Sequence, residues 1–303
     1  MFTNPTVSID KKTCTHCKSC VDVCASGIYA VDADQNVVVN PEHFSICIVC
    51  GQCMMACPEK SAQVEGLNYD QDFFEYPGPA DDFESLYRTM VRRRSVRSFK
   101  EKPVPEELLK KITDFLRFAP FGVDHDSAEI TVINDRSLIE KGLPMMQNTY
   151  RGMAKMLKTA LGRTFFRLIL NPADRTTIME HLLPLLKKKE FFDPLEKDWI
   201  TRGAPAIMLF HAKKSAPEHV ADCWINVNYA MVAAQYLGLG STIIGLVPPV
   251  LNQSSQLKAL YGIPKDHKVL ASLILGYQKH KFFRGYQTKE RIIHFSSFKS
   301  YED

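Results

Sequence analysis

The chain has 303 residues, of which 45% are apolar and 24% charged, with a formal net charge of +4. That much apolar material builds a core, which excludes disorder as the main state, and so mild a charge argues against nucleic acid as a partner. Arg163 and Arg167 interrupt the best apolar run, 161–170, well short of the roughly 20 residues of a membrane helix. Residues 1–14 carry no apolar signal-peptide core. The expectation is therefore a cytoplasmic protein of one large domain or two modest ones, with no membrane partner.

Eight of the nine cysteines lie between Cys14 and Cys57. They form two runs of the same C-x2-C-x2-C-x3-C spacing: Cys14, Cys17, Cys20, Cys24, and then Cys47, Cys50, Cys53, Cys57. The second run repeats the first at an offset of 33 residues. A disulfide framework needs an oxidising compartment, and zinc prefers pairs of ligands to runs of four. Three thiolates spaced this way wrap one face of an iron–sulfur cubane, and the fourth must come from elsewhere.

The spacing resembles that of bacterial ferredoxins with two 4Fe–4S clusters, in which each run lends its last cysteine to the other cluster. The resemblance implies one cluster on Cys14, Cys17, Cys20 and Cys57, and a second on Cys47, Cys50, Cys53 and Cys24. Pro58 follows the second run as the family pattern has it, whereas Ala25 stands in that place after the first. Residues 1–65 are thus expected to be a ferredoxin-type domain filled by Ile28, Val31, Val37, Val38, Val39 and Phe44, small enough to need its clusters as staples.

Residues 66–83 are acidic and aromatic, carry Pro77 and Pro79, and read as a linker. Beyond it the pattern is that of a second domain, 84–303. Leu108, Leu109, Ile112, Phe115 and Leu116 share one face of a helix expected over 105–119. Short apolar runs suited to strands come next at 130–133, 206–210, 242–247 and 269–275, with a helix over 223–237 stopped by Gly238 and Gly240. The segment 141–202 reads as a helical insertion, with helical patterns at 153–170 and 176–186. The fold class is α+β, a central sheet flanked by helices behind a small ferredoxin-like domain.

The run Arg92-Arg93-Arg94-Ser95-Val96-Arg97 gathers guanidiniums and a hydroxyl suited to phosphate oxygens. The longer stretch RRSVRSFKEKPVPEELLKKITDFLRFAP resembles the opening of the nitroreductase family of FMN flavoproteins. The resemblance continues through Ala204-Pro205-Ala206, the segment Gly240-Ser241-Thr242-Ile243-Ile244-Gly245, and Leu275-Gly276-Tyr277. It implies that Arg93, Arg94, Ser95 and Arg97 hold the FMN phosphate and ribityl chain. Ile243, Ile244 and Gly245 would pass main-chain groups along the flavin ring. Arg284 or Lys289 would complete the phosphate clamp, and Pro120 and Asp124 would lie beside the flavin.

After Pro120 the sequence departs from the family, because Asp124 and Asp126 stand where amides are common, with His125 between them. No catalytic acid is assigned. Tyr150, Phe165, Phe166, Phe191 and Phe192 offer either a cap over the pocket or packing among inserted helices. Lys187-Lys188-Lys189 reads as a solvated face, and Cys223 as a small buried residue.

No G-x-G-x-x-G turn joins a strand to a helix, so no separate dinucleotide domain is expected. The implied activity is that of a homodimeric FMN oxidoreductase from an anaerobe. Two 4Fe–4S clusters would deliver single electrons to a flavin that reduces a small acceptor, a nitroaromatic, quinone or activated alkene. Reduced ferredoxin or a similar low-potential donor, or NAD(P)H, would supply the electrons. Electron export through the clusters, or a non-catalytic relay, remains an alternative.

Overall fold

The computed structural model describes residues 5–76, 83–122, 127–187 and 198–285. The chain divides into two compact units, 1–81 and 82–303.

The first unit repeats itself as its sequence does. β1 (Val7–Ile9) pairs antiparallel with β4 (Ala62–Val64), and β2 (Tyr29–Val31) with β3 (Val37–Val39). Helices α1 (Ser19–Val23) and α2 (Gln52–Met55) begin at equivalent places in the two cysteine runs. The core is Val7, Ile28, Tyr29, Val37, Met54, Ala62 and Val64, with Val39 and Phe44 half-buried against it. Val31 and Val38, expected inside, are exposed. Val38 lies with Ala30 on the side away from buried Tyr29 and Val37, whereas Val31 shares their side but ends its strand, beyond the cover of the core. The unit also extends past the expected boundary at 65. Asn68 caps α3 (Tyr69–Asp72) by accepting from Asp70 N–H at 2.8 Å, and Leu67, Tyr69 and Phe73 pack on the core. The first half of the expected linker is therefore part of this unit.

The second unit opens with α4 (Phe83–Arg92) and α5 (Glu106–Leu116). Its sheet has the order β5-β6-β8-β7 and is antiparallel throughout: β5 (Glu129–Ile133), β6 (Ala206–Lys213), β7 (Gly240–Ile243) and β8 (His267–Gly276). β6 reads as a continuous apolar run because both its faces are covered. Ala206, Met208, Phe210 and Ala212 face a layer containing α5 and α10 (His219–Tyr236), while Ile207 and Leu209 face the opposite layer. That opposite layer holds α6 (Arg136–Lys158), α11 (Val247–Gln253) and α12 (Ser255–Leu260).

The expected insertion begins earlier than 141. α6 starts at Arg136, where Asp135 accepts from Ser137 N–H at 2.8 Å as its cap. It buries Ile139, Met146, Tyr150 and Leu157, so it is part of the core rather than an addition to it. The helix expected over 153–170 is broken at Thr159, whose hydroxyl accepts from Gly162 N–H at 3.0 Å and starts α7 (Ala160–Ile169). α8 (Pro172–Thr176), a π-helical turn (Thr177–Leu182) and α9 (Leu183–Leu186) complete the segment as far as it is described. The strand expected over 242–247 stops at Ile243, and Val247 opens α11.

Two polar clusters brace this unit. Asp198 accepts from the N–H groups of Ile200, Thr201 and Gly203, from the Thr201 hydroxyl, and from Arg136 at 3.1 Å. Burial alone would raise the Asp198 carboxyl, but these donors hold it below its ordinary value. They tie the start of α6 to the loop before β6. Removing the carboxylate in Asp198→Ala leaves several donors unpaired and is expected to cost about 2–3 kcal/mol by urea unfolding.

The second cluster is the buried pair His211 and His267, whose Nδ1 atoms lie 2.9 Å apart, with Thr131 Oγ1 2.9 Å from His211 Nε2. Lys258 donates to the His267 carbonyl, and Glu129 lies 3.7 Å from His267 Nε2. Burial, then the neighbouring His267 and Lys258, push His211 down to about 4. The unfolded chain therefore takes up a proton that folded His211 refuses between pH 6.5 and about 4. The stabilisation from neutral His211 is complete above the unfolded value and is lost as pH falls towards about 4. Between about pH 7 and 5 this group is expected to remove about 2 kcal/mol of stability. Anaerobic urea unfolding of the wild type and His211→Asn at both pH values measures that difference.

Candidate cofactor-binding sites

In the first unit the structure gathers the cysteines into two cavities. One is walled by Cys14, Cys17, Cys20 and Cys57, together with Lys18, Ser61 and Ala62. The other is walled by Cys24, Cys47, Cys50 and Cys53, together with Ile28, Tyr29 and Gly51. Each therefore joins three cysteines of one run to the last of the other. All nine cysteines are free, so no disulfide competes.

The backbone around the cavities carries the same repeat. Left-handed φ occurs at His16 and Val49, at Lys18 and Gly51, and at Gly27 and Lys60, each pair 33 residues apart. At Val49, β-branched with φ of 53°, this conformation costs of the order of 1–3 kcal/mol, tolerated where surrounding structure dictates it. Backbone donors reach sulfur in both halves: Ile28 N–H to Cys24 Sγ at 3.4 Å and Ser61 N–H to Cys57 Sγ at 3.1 Å. Burial raises the Cys47 and Cys53 thiols and pushes Cys20 up to about 11. Metal ligation requires thiolates, so these buried sulfurs lose their protons when ligands form.

The fit to a cluster is seen at Tyr29, whose part in the site the cysteine spacing did not reveal. Its hydroxyl is buried in the wall of the second cavity and makes no hydrogen bond of good geometry to a protein atom. A buried hydroxyl needs an acceptor, and a sulfur held by the surrounding cysteines supplies one. The equivalent residue 33 positions on is Ala62, so the repeat itself was the signal available in the sequence.

In the second unit, residues 95–100 run between β7 and the chain leaving β8. Ser95 bridges Ser241, Val96 N–H donates to Ser241 O at 3.0 Å, and Phe99 bridges Gln278. Val96 seats against Gly240, where any Cβ would lie 2.6 Å from its side chain. Val96 and Phe99 point into the core, leaving Arg93, Arg94 and Ser95 half-buried and Arg97 exposed. The tail returns to this place. A Cβ on Gly285 would lie 3.4 Å from Arg94 Nη2, which brings neighbouring Arg284 beside the arginine segment. Arg97 acts elsewhere as well: burial first, then its charge, lower Arg202.

The expected flavin edge separates into unlike residues. Ile244 N–H donates to Ser272 O at 3.0 Å and its carbonyl accepts from Ser272 Oγ at 2.6 Å, so its main chain is engaged with β8. This corrects its expected role. The alternation of an antiparallel strand turns the Ile243 main chain the other way, to the side where Ser95 lies. Gly245 has open space where a side chain would stand. The donor set of half-buried guanidiniums, a hydroxyl and an open main-chain edge fits a phosphate-bearing planar ring.

Pro120 is exposed just after α5. Asp124, with His125 and Asp126, lies outside the described residues, as do Lys188, Lys189, Phe191, Phe192, Lys289 and the tail from 286. Both ends of that loop are held by Asp222 on α10, which accepts from Gly122 N–H at 2.9 Å and from the Ser127 hydroxyl. Nothing in the apolar pattern of α10 singled out this buried carboxylate. Tyr150 is buried and donates to Leu246 O at 2.6 Å, so it packs the core rather than capping a pocket. Phe165 is half exposed on α7. Cys223 is fully buried, and burial pushes it up to about 12. No helix among the described residues is long and apolar enough to cross a membrane.

Comparison with known proteins places both units. Residues 6–58 match the 4Fe–4S dicluster domain, and residues 90–277 match the nitroreductase family. An iodotyrosine deiodinase of Thermotoga neapolitana is 23% identical over 217 residues, 70% of this chain and 98% of the relative. A protein of Methanothermobacter thermautotrophicus described as an NADH dehydrogenase or NAD(P)H nitroreductase is 28% identical, over 61% of this chain and 73% of its own. Among solved structures, the FMN-bound nitroreductase of Bacteroides fragilis shares the fold at a TM-score of 0.52 and 18% identity, covering 70% of this chain and 98% of that one. The chain belongs to the nitroreductase family of oxidoreductases, with a 4Fe–4S dicluster domain fused ahead of the catalytic fold.

Proposed function

We propose that this chain is an FMN-dependent oxidoreductase that takes up single electrons through two 4Fe–4S clusters and reduces a small acceptor. The observation that carries the reading is the pair of cavities, each drawing its fourth cysteine from the other run. Cys14, Cys17, Cys20 and Cys57 would hold one cluster, and Cys24, Cys47, Cys50 and Cys53 the other. Arg93, Arg94 and Ser95, joined by Arg284, would bind the FMN phosphate, and the Ile243 and Gly245 main chain would orient the ring. When bound, the clusters carry single electrons and the flavin exchanges one or two, so the pair converts one kind of delivery into the other.

The donor in this reading is reduced ferredoxin or another low-potential carrier, with NAD(P)H supported by the name of the archaeal relative. Acceptors are nitroaromatics, quinones or activated alkenes, and the deiodinase relative adds halogenated phenols to the screen. A homodimer is part of the proposal. α4 exposes Phe83, Leu86, Tyr87, Met90 and Val91 on a single chain, a row of apolar side chains suited to a second subunit.

Three measurements test this. Anaerobically purified protein is expected to hold about eight irons and one FMN per chain; iron without flavin would sink the FMN reading. Arg94→Ala removes a charge-assisted phosphate contact and is expected to weaken FMN binding about tenfold or more by fluorescence titration. Cys17→Ser and Cys57→Ser are expected to alter the electron paramagnetic resonance of one cluster, and Cys24→Ser and Cys50→Ser that of the other. Grouping by run instead would refute the crossed ligand set.

A further inference from the structure

The two cysteine cavities are alike in backbone and unlike in the hydroxyls that reach them. Both have a main-chain N–H on the sulfur of their borrowed cysteine, Ile28 to Cys24 and Ser61 to Cys57. These equivalent bonds act on both alike. In the cavity of Cys24, Cys47, Cys50 and Cys53, one wall is Tyr29, 3% exposed, in β2. Its hydroxyl lacks a good protein partner and, after burial itself, is perturbed most by Cys53. In the cavity of Cys14, Cys17, Cys20 and Cys57 the equivalent wall position is Ala62, which has no donor to offer. That cavity has instead the Ser19 hydroxyl, 3.4 Å from Cys17 Sγ on the exposed side, and the buried Ser61 hydroxyl, which is paired with Thr13 Oγ1 at 2.9 Å. The position equivalent to Ser19 is Gln52.

Hydrogen bonds to the sulfurs, and exposure to water, are among the terms that set the potential of an iron–sulfur cluster. A donor stabilises the reduced, more negative state, and does so more strongly where water is excluded. Tyr29 is such a donor in a dry place, whereas Ser19 competes with solvent.

We infer that Tyr29 is a tuning residue, its hydroxyl donating to a sulfur of the Cys24, Cys47, Cys50 and Cys53 centre and raising the potential of that centre alone. This rests on the two-cluster reading of the proposed function. The inference makes the two centres inequivalent, although their ligands are spaced identically.

The experiment is an anaerobic redox titration of the full protein monitored by electron paramagnetic resonance, with iron counted per chain. Tyr29→Phe keeps the ring that packs the core and removes only the donor. It is expected to retain its iron, lower the midpoint of the centre bound by Cys24 and leave the other in place. Which signal belongs to that centre is identified independently with Cys24→Ser. Should Tyr29→Phe lose iron, 3-fluorotyrosine placed at position 29 keeps the hydroxyl and makes it a stronger donor. The same midpoint is then expected to rise. Full iron with both midpoints unchanged in Tyr29→Phe, or no rise with the fluorinated residue, overturns the inference. Wild-type protein that never holds two centres overturns the cluster reading instead, so the failures are distinguishable.

Discussion

Each cysteine cavity closes only when a residue of one half of the repeat meets three from the other half, and the first unit is built around that requirement. Cys57 must reach Cys14, Cys17 and Cys20, and Cys24 must reach Cys47, Cys50 and Cys53. The pairing of β1 with β4 and of β2 with β3 brings the two halves together. Its strands are three residues long and its core has fewer than a dozen fully buried side chains. An assembly of this size gains little from burial alone. In the proposed two-cluster reading, metal–thiolate bonds linking the halves would supply what the core does not, and would account for the unfavourable backbone retained at Val49 and Lys18.

The second unit meets its constraint differently. Its four described strands, antiparallel with both faces covered, make a support held by apolar burial rather than by clustered cysteines. β7 is one of the two edge strands, and the arginine segment lies along its free side. This arrangement gives the candidate flavin site its character. A sheet edge presents main-chain donors and acceptors, Val96 locks the segment to Gly240, and the returning tail brings Gly285 up to Arg94. Backbone pairing flanks Arg97 through Ser241 on one side and Tyr277 to Lys279 on the other, while Arg93 and Arg94 sit between the end of α4 and the Ser95 bridge.

Spacing was the part of the chemistry legible in the sequence. The cysteine runs announced the first unit through their spacing, and the ferredoxin resemblance implied the grouping of each run's last cysteine with the other run that the two cavities display. The strands at 130, 206 and 269 were legible because each is an apolar run bounded by turn residues, whereas β7 was drawn too long since Ile244 and Val247 continue its apolar character into α11. The extent of the first unit was hidden for a similar reason. Acidic, proline-bearing sequence after Gly66 reads as linker, yet Leu67 and Phe73 fit over Gly51, a contact that exists only in three dimensions. Asp198, Asp222 and His211 were illegible in the sequence, as buried polar residues take their meaning from partners such as Arg136, Gly122 and His267.

The internal repeat also limits what spacing can say. Identical cysteine intervals go with matched backbone, in the paired φ angles and in the N–H to sulfur bonds of the two halves. Function requires more than symmetry supplies. In the proposed reading, with electrons entering through two centres, duplicated ligand sets cannot by themselves give those centres different potentials. Such a difference has to come from the positions between the ligands, where the repeat has drifted: Tyr29 against Ala62, Ser19 against Gln52, Lys18 against Gly51. Of the side chains among these that carry a hydrogen-bond donor, the tyrosine alone is buried, which is where a single hydroxyl has the greatest electrostatic effect.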